Sequence, residues 1–308
     1  MSRDARPAKG PLIYRQSIWT RLTHWIWAAC LFFLMLTGLQ IFNAYPKLDI
    51  GKESGFEYDN SIFEIGARQA GDELQGFTRI FGSEFDTTGV LGVSNGQVRA
   101  FPAAVTIPSN QDLATGRVIH FFFAWLLVGT LAIWFIAGIA NGHLRQLLPR
   151  RSDLRALGPE IADHARLRFH HQRRYGALQK LTYAGVMFVL LPLMILTGLS
   201  MSPSFNAVAP FLLDVFGGRQ TARTLHFLIM LALIGFFLIH ILMVLAAGPL
   251  NGLRSMLSGW YRIDPEPAAS AQGPAGDASA PKQLFAPEQR IDHEPRSGEA
   301  QPADRKEA

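Results

Sequence analysis

The sequence predicts an all-α integral membrane protein, a four-transmembrane-helix bundle with a long insert between helices 1 and 2. Three observations carry this. Of the 308 residues, 49% are hydrophobic, 22 are Phe and only 17% are charged, a balance that points to membrane rather than soluble packing. Four apolar stretches, residues 22–42, 118–140, 181–201 and 224–247, are each long enough at ~1.5 Å per residue to cross a ~30 Å hydrocarbon core. None of them contains Asp, Glu, Lys or Arg.

Residues 1–20 are polar and basic, with Arg3, Arg6, Lys9 and Arg15. The first apolar run is too long for a signal-peptide core and lacks a small-residue exit, so helix 1 is expected to stay in the product. The single cysteine, Cys30, lies within helix 1 and reads as a small packing residue. Residues 44–116 are too long for a turn and too polar for the bilayer, so they are expected to form a small ordered or partly ordered cap. Within it, Asn95-Gly96 between short β-forming runs signals a hairpin over residues 90–101, and Pro102 and Pro108 break regularity before helix 2.

Loop 141–178 carries eight Arg against three acids, whereas residues 43–116 carry five Lys or Arg against ten acids. Short basic loops stay in the cytoplasm, so loop 141–178 and both termini are placed inside and the insert outside. Topology thus accounts for the net charge of +5 without nucleic acid as a partner. Helix 3 holds Pro192 and no histidine, and reads as a packing wall. Residues 21–262 make the bundle domain, and residues 263–308, rich in Pro, Ala, Gly, Ser and charge, read as a disordered cytoplasmic tail.

Histidine is costly inside a bilayer and marks function when it occurs there. His226 and His240 are fourteen residues apart, which returns them to within roughly 40° of one helix face and separates them by ~21 Å along the axis. With helices 1 and 3 running outward and 2 and 4 inward, His24 falls at the depth of His240, and His120 at that of His226. Opposed imidazoles are what a six-coordinate haem iron takes, and a bundle interior suits the macrocycle. Two haem b groups, one near each membrane surface, follow. A single such histidine could equally be a core residue bonded to a neighbouring carbonyl.

Arg21, Arg117 and Arg223 each stand three residues before one of these histidines. Each could pair with a haem propionate, or serve only to mark the membrane boundary by snorkelling. Leu36-Thr37-Gly38-Leu39 is echoed by Leu196-Thr197-Gly198-Leu199. Gly38 and Gly198 could let a flat cofactor approach, although small residues are also ordinary at helix contacts in membranes. His143, His164, His170, His171 and His293 read as solvated; His143, His170 or His171 could move protons for a quinone at the inner face.

The pattern of one histidine on helix 1, one on helix 2 and a pair fourteen apart on helix 4 resembles the di-haem cytochrome b family of bacterial cytochrome b561 and of the membrane subunits of nickel-iron hydrogenases and formate dehydrogenases. The resemblance covers residues 14–262. It implies that His24, His120, His226 and His240 are axial ligands to haem iron. It further implies that the chain passes electrons between a periplasmic oxidoreductase partner and the quinone pool of a bacterial inner membrane, as a subunit rather than a stand-alone enzyme. The long insert departs from shorter members. Phe101-Pro102 through Pro108-Ser109, then Gln111 to Arg117, resembles members associated with periplasmic molybdopterin oxidoreductases of the sulfite-oxidase type. Two rivals remain open: a self-contained quinone reductase using a small redox molecule such as superoxide, and a transporter using histidines for protons or metal ions.

Overall fold

A computed structural model describes residues 10–55, 58–142, 144, 148–166 and 176–263. His143, His170, His171, His293 and the tail from 264 onward lie outside the described residues, so the readings placed on them stand as expectations.

After a short strand β1 (Leu12–Tyr14), helix α1 (Ile18–Phe42) begins where the Ser17 hydroxyl accepts the Thr20 N–H at 3.2 Å. Helix α2 (Leu113–Ala140) begins in the same way, with the Asp112 carboxylate accepting the Thr115 N–H at 3.0 Å. Those backbone bonds hold the Asp112 carboxyl below its ordinary pKa. Such caps satisfy N–H groups that the first turn leaves unpaired, so both helices start before the apolar runs from which they were read.

Helix α3 (Arg151–Ala165) lies in the basic loop. His164, read as solvated, is half-buried there, and its Nδ1–H donates to the Glu160 carbonyl at 2.7 Å. Helix α4 (Ala177–Met201) is the third span, and short helices α5 (Pro203–Val208) and α6 (Phe211–Val215) lead into the fourth, α7 (Arg219–Ala246). All four long helices are apolar enough to cross a membrane. In α4 a π-helical turn, Val186–Leu190, precedes Pro192, and the Leu191 N–H reaches back to the Val186 carbonyl. Proline lacks an N–H and crowds the preceding turn; widening the helix there accommodates both effects.

The spans associate as two pairs, α1 with α2 and α4 with α7. The pairs meet in a central layer of Leu131, Leu191 and Leu233, with Trp27 and Leu31 against it. Cys30 is fully buried, in keeping with a packing role. Ile133, Ile136 and Ile139 remain exposed, as lipid-facing residues can, since lipid tails are as apolar as the side chains.

The insert is β-structured, which corrects the all-α class for this part of the chain. Strands β2 (Lys47–Asp49), β3 (Ser61–Ala70), β4 (Glu73–Ile80) and β5 (Ser83–Asp86) form one antiparallel sheet in that order. Strands β6 (Gly92–Ser94) and β7 (Gln97–Arg99) make the expected hairpin: Ser94 pairs with Gln97, and Asn95 and Gly96 adopt φ values of 51° and 72°, the left-handed pair that a two-residue turn of this kind needs.

Phe42, Leu48, Ile65 and Ala100 pack with Phe227 of α7 to join insert and bundle. The Thr224 hydroxyl donates to the Asp49 carbonyl at 2.7 Å, and the Thr221 hydroxyl accepts the Gly51 N–H at 2.8 Å. Arg99, only 4% exposed, donates to the carbonyls of Phe101 and Ser109 at 2.7 and 2.6 Å, to Thr106 Oγ1 at 2.8 Å and to Gln40 Oε1 at 3.2 Å. Burial lowers its pKa, yet four acceptors satisfy the guanidinium. Helix α8 (Pro249–Ser258) and strand β8 (Trp260–Arg262) close the described chain, β8 pairing antiparallel with β1.

Candidate paired-histidine site

His24 of α1 and His240 of α7 face each other, their ring centroids 6.4 Å apart and their planes inclined at 53°. Bonds between a metal and imidazole nitrogen are ~2 Å, so two imidazoles held on opposite sides of one metal ion have centroids roughly 6 Å apart. The donor set and its spacing therefore suit a single metal taken between the two rings. His24 Nδ1 is buried and has no hydrogen-bond partner among the described residues.

His120 of α2 and His226 of α7 belong to the other end of the bundle. His120 Nδ1 lies 3.0 Å from the Thr37 hydroxyl of α1, and His226 Nδ1 lies 2.9 Å from the Thr197 hydroxyl of α4. Thirteen residues of α1 separate Thr37 from His24, about 20 Å of helix rise. His24 and His240 are thus brought ring to ring, while His120 and His226 are each seated against a threonine of the neighbouring span.

The repeated Leu-Thr-Gly-Leu motif has a definite structural job. A Cβ on Gly38 would lie 3.6 Å from His120 Cε1, and one on Gly198 only 3.3 Å from His226 Cε1. Gly198 makes room for an imidazole ring that a Cβ there would crowd, whereas at Gly38 a Cβ would only touch the ring. Sequence reading singled out the glycines and passed over the adjoining threonines, although the motif contained them. Thr37 and Thr197 are fully buried.

The three arginines do different things. Arg21 donates through Nη1 to the Leu257 carbonyl, one residue from the end of α8, and its buried Nε–H has no partner among the described residues. Arg223 donates to the Lys47 carbonyl at 2.8 Å and to the Tyr45 carbonyl, tying α7 to the insert. Arg117 is exposed, its guanidinium 5.8 Å from the Phe121 ring centroid. Arg254 of α8, which sequence reading missed because it lies beyond the spans, also has a buried Nε–H without a partner among the described residues. Trp25 Nε1 donates to the Met256 carbonyl at 3.2 Å, so α8 folds back over the His24 end. Among the described residues no three His, Cys, Asp or Glu side chains converge as a metal cluster, which leaves the histidine pairs as the donor sets.

Four apolar spans with His24 and His240 opposed across the bundle suit a membrane protein of the haem-binding redox class. The chain belongs to the prokaryotic cytochrome b561 family, whose model matches residues 15–259. It is accordingly a multi-pass protein of the bacterial inner membrane, a b-type cytochrome of electron transfer. Among curated proteins it is similar to a putative protein-methionine-sulfoxide reductase subunit, YedZ1, of Azospira oryzae, with 30% identity over 128 residues. That match takes in 41% of this chain and 62% of the relative, so less than two thirds of the relative is covered.

Proposed function

We propose that this chain is a di-haem cytochrome that carries electrons between a periplasmic oxidoreductase partner and quinone. In this reading His24 and His240 hold one haem b, and His120 and His226 hold the other. The carrying observation is the opposition of His24 and His240 at 6.4 Å, which suits axial ligation from two helices. The haems supply the one-electron redox chemistry. The chain contributes the ligands, an apolar surrounding that keeps water away, and positive charge at the edges.

The unpartnered buried Nε–H groups of Arg21 and Arg254 suit the propionate edge at the His24 level, since a guanidinium fits a carboxylate bidentately. Gly38 and Gly198 support the other level by admitting the rings of His120 and His226. The basic loop 141–178 supports a cytoplasmic position for both termini, with the insert 44–116 in the periplasm and residues 21–262 as the haem-bearing domain.

A docked partner is favoured over a stand-alone quinone reductase because the Azospira oryzae relative is described as a reductase subunit. The insert, anchored on α7 beside His226, is a suitable platform. The resemblance in residues 101–117 points to a molybdopterin-dependent partner. The test is stopped-flow mixing of the purified full-length protein with a quinol. Reduction of both b-type absorbance components supports the reading, and a protein with bound haem that no quinol reduces removes quinone from it.

A further inference from the structure

We propose that Thr37 and Thr197 are positioning residues for His120 and His226, fixing each imidazole as the Nδ1–H tautomer so that Nε2 is left unprotonated and able to ligate. The proposal rests on the di-haem reading above and adds how this level of the bundle is tuned.

The argument is a count of protons. A threonine hydroxyl has one proton to donate and two lone pairs to accept with. Thr37 Oγ1 donates to the Phe33 carbonyl at 2.6 Å, and Thr197 Oγ1 donates to the Leu193 carbonyl at 2.8 Å. Each is a bond back along its own helix, common for threonine in apolar surroundings. With the single proton committed, each oxygen can only accept from the imidazole nitrogen at 3.0 or 2.9 Å. That nitrogen, Nδ1, then carries the hydrogen, and each ring also has a backbone carbonyl in reach, Leu34 for His120 and Met194 for His226. Both hydroxyls are fully buried, so water does not compete.

The glycine after each threonine completes the seat, because the ring edge rests against the helix at Gly38 and Gly198. Two helices that are not neighbours in sequence therefore present the same three-part seat, a hydroxyl acceptor, a bare backbone and a committed hydroxyl proton, to two histidines. A hydrogen bond donated from the far nitrogen of a metal-bound histidine raises its basicity, which stabilises the oxidised metal. His24 Nδ1 has no corresponding partner among the described residues. Among the described residues, a threonine hydroxyl meets an imidazole in this way at His120 and His226 and not at His24.

The test uses the full-length protein in detergent or nanodiscs, with T37V and T197V removing the hydroxyl at nearly constant volume and T37S and T197S restoring it. Haem content, a redox titration and the low-temperature EPR spectrum of the ferric protein are read for each. Expected is an upward shift in the midpoint potential of one b-type component, the same one in both valine variants, with the wild-type value in both serine variants. If a valine variant loses that haem instead, its serine counterpart decides: a wild-type signal upholds the hydroxyl, and equal loss overturns it. Valine variants with full haem and both potentials unmoved overturn the proposal and leave the di-haem reading intact. A wild-type protein with a single haem component overturns both.

Discussion

Thr37 of helix α1 and His120 of helix α2 meet at 3.0 Å, and Thr197 of α4 and His226 of α7 repeat that meeting at 2.9 Å. The repetition arises because one short motif occurs near the C-terminal end of two different spans, each time setting a buried hydroxyl and a glycine beside a histidine of the next span in its pair. Position, tautomer and close approach are thereby fixed together for the two rings.

The ring of His240 is the sole imidazole facing His24 among the described residues. Replacing His240 with Ala is expected to halve the haem bound per protein and to remove one of two b-type components, leaving the other at its original potential. Pyridine haemochrome analysis with a redox titration checks this. Loss of both components in equal measure, or of neither, contradicts the pairing.

The two glycines should respond unequally to alanine. At Gly198 the added Cβ stands 3.3 Å from His226 Cε1, tighter than ordinary contact, whereas at Gly38 the clearance is 3.6 Å. G198A is expected to cost about 1–2 kcal/mol through overpacking and to perturb the haem spectrum. G38A is expected to be neutral, or stabilising by up to about 1 kcal/mol through helix propensity. Thermal unfolding followed by haem absorbance distinguishes them, and equal effects would refute the seating of the rings described above.

Arg254 and Arg117 provide a contrast of half-buried and exposed charge. Loss of a half-buried positive charge beside the proposed haem edge would make reduction harder, so R254Q is expected to lower the potential of the component held by His24 and His240. R117Q, with its side chain exposed over Phe121, is expected to leave both components in place. A redox titration in which R117Q moves and R254Q does not would reverse the assignment.

Arg99 locks the insert onto the end of α1 through Gln40 and three further acceptors. R99A leaves buried acceptors unpaired, and the cost is expected at about 3 kcal/mol. The loss should be local: hydrogen exchange and limited proteolysis rise across residues 44–112 while the haem spectrum persists. Unchanged protection of the insert would contradict this anchoring.

The spans and the juxtaposition of His24 with His240 were legible because both depend on period and length. A missing charge over some twenty residues and a fourteen-residue spacing survive without knowledge of contacts. The insert was less legible. Strands β3 and β4 alternate imperfectly, with Gly66 and Gly76 inside them, and their turns, Gly71-Asp72 and Phe81-Gly82, are weaker signals than Asn95-Gly96. The phenylalanine at 81 takes a positive φ of 47°, which residue type alone does not suggest. Arg223, read as either a propionate partner or a boundary marker, binds carbonyls of Tyr45 and Lys47, because the sheet returns over the start of α7. Arg254 escaped notice because nothing in its sequence shows that α8 folds back toward Arg21.

The most direct measurement is the haem-to-protein ratio of the purified full-length chain, expressed with ample haem and combined with EPR of the oxidised form. The account predicts two haems b per chain, both low-spin with two histidine ligands. A ratio of one, or a high-spin signal from a five-coordinate iron, would contradict it.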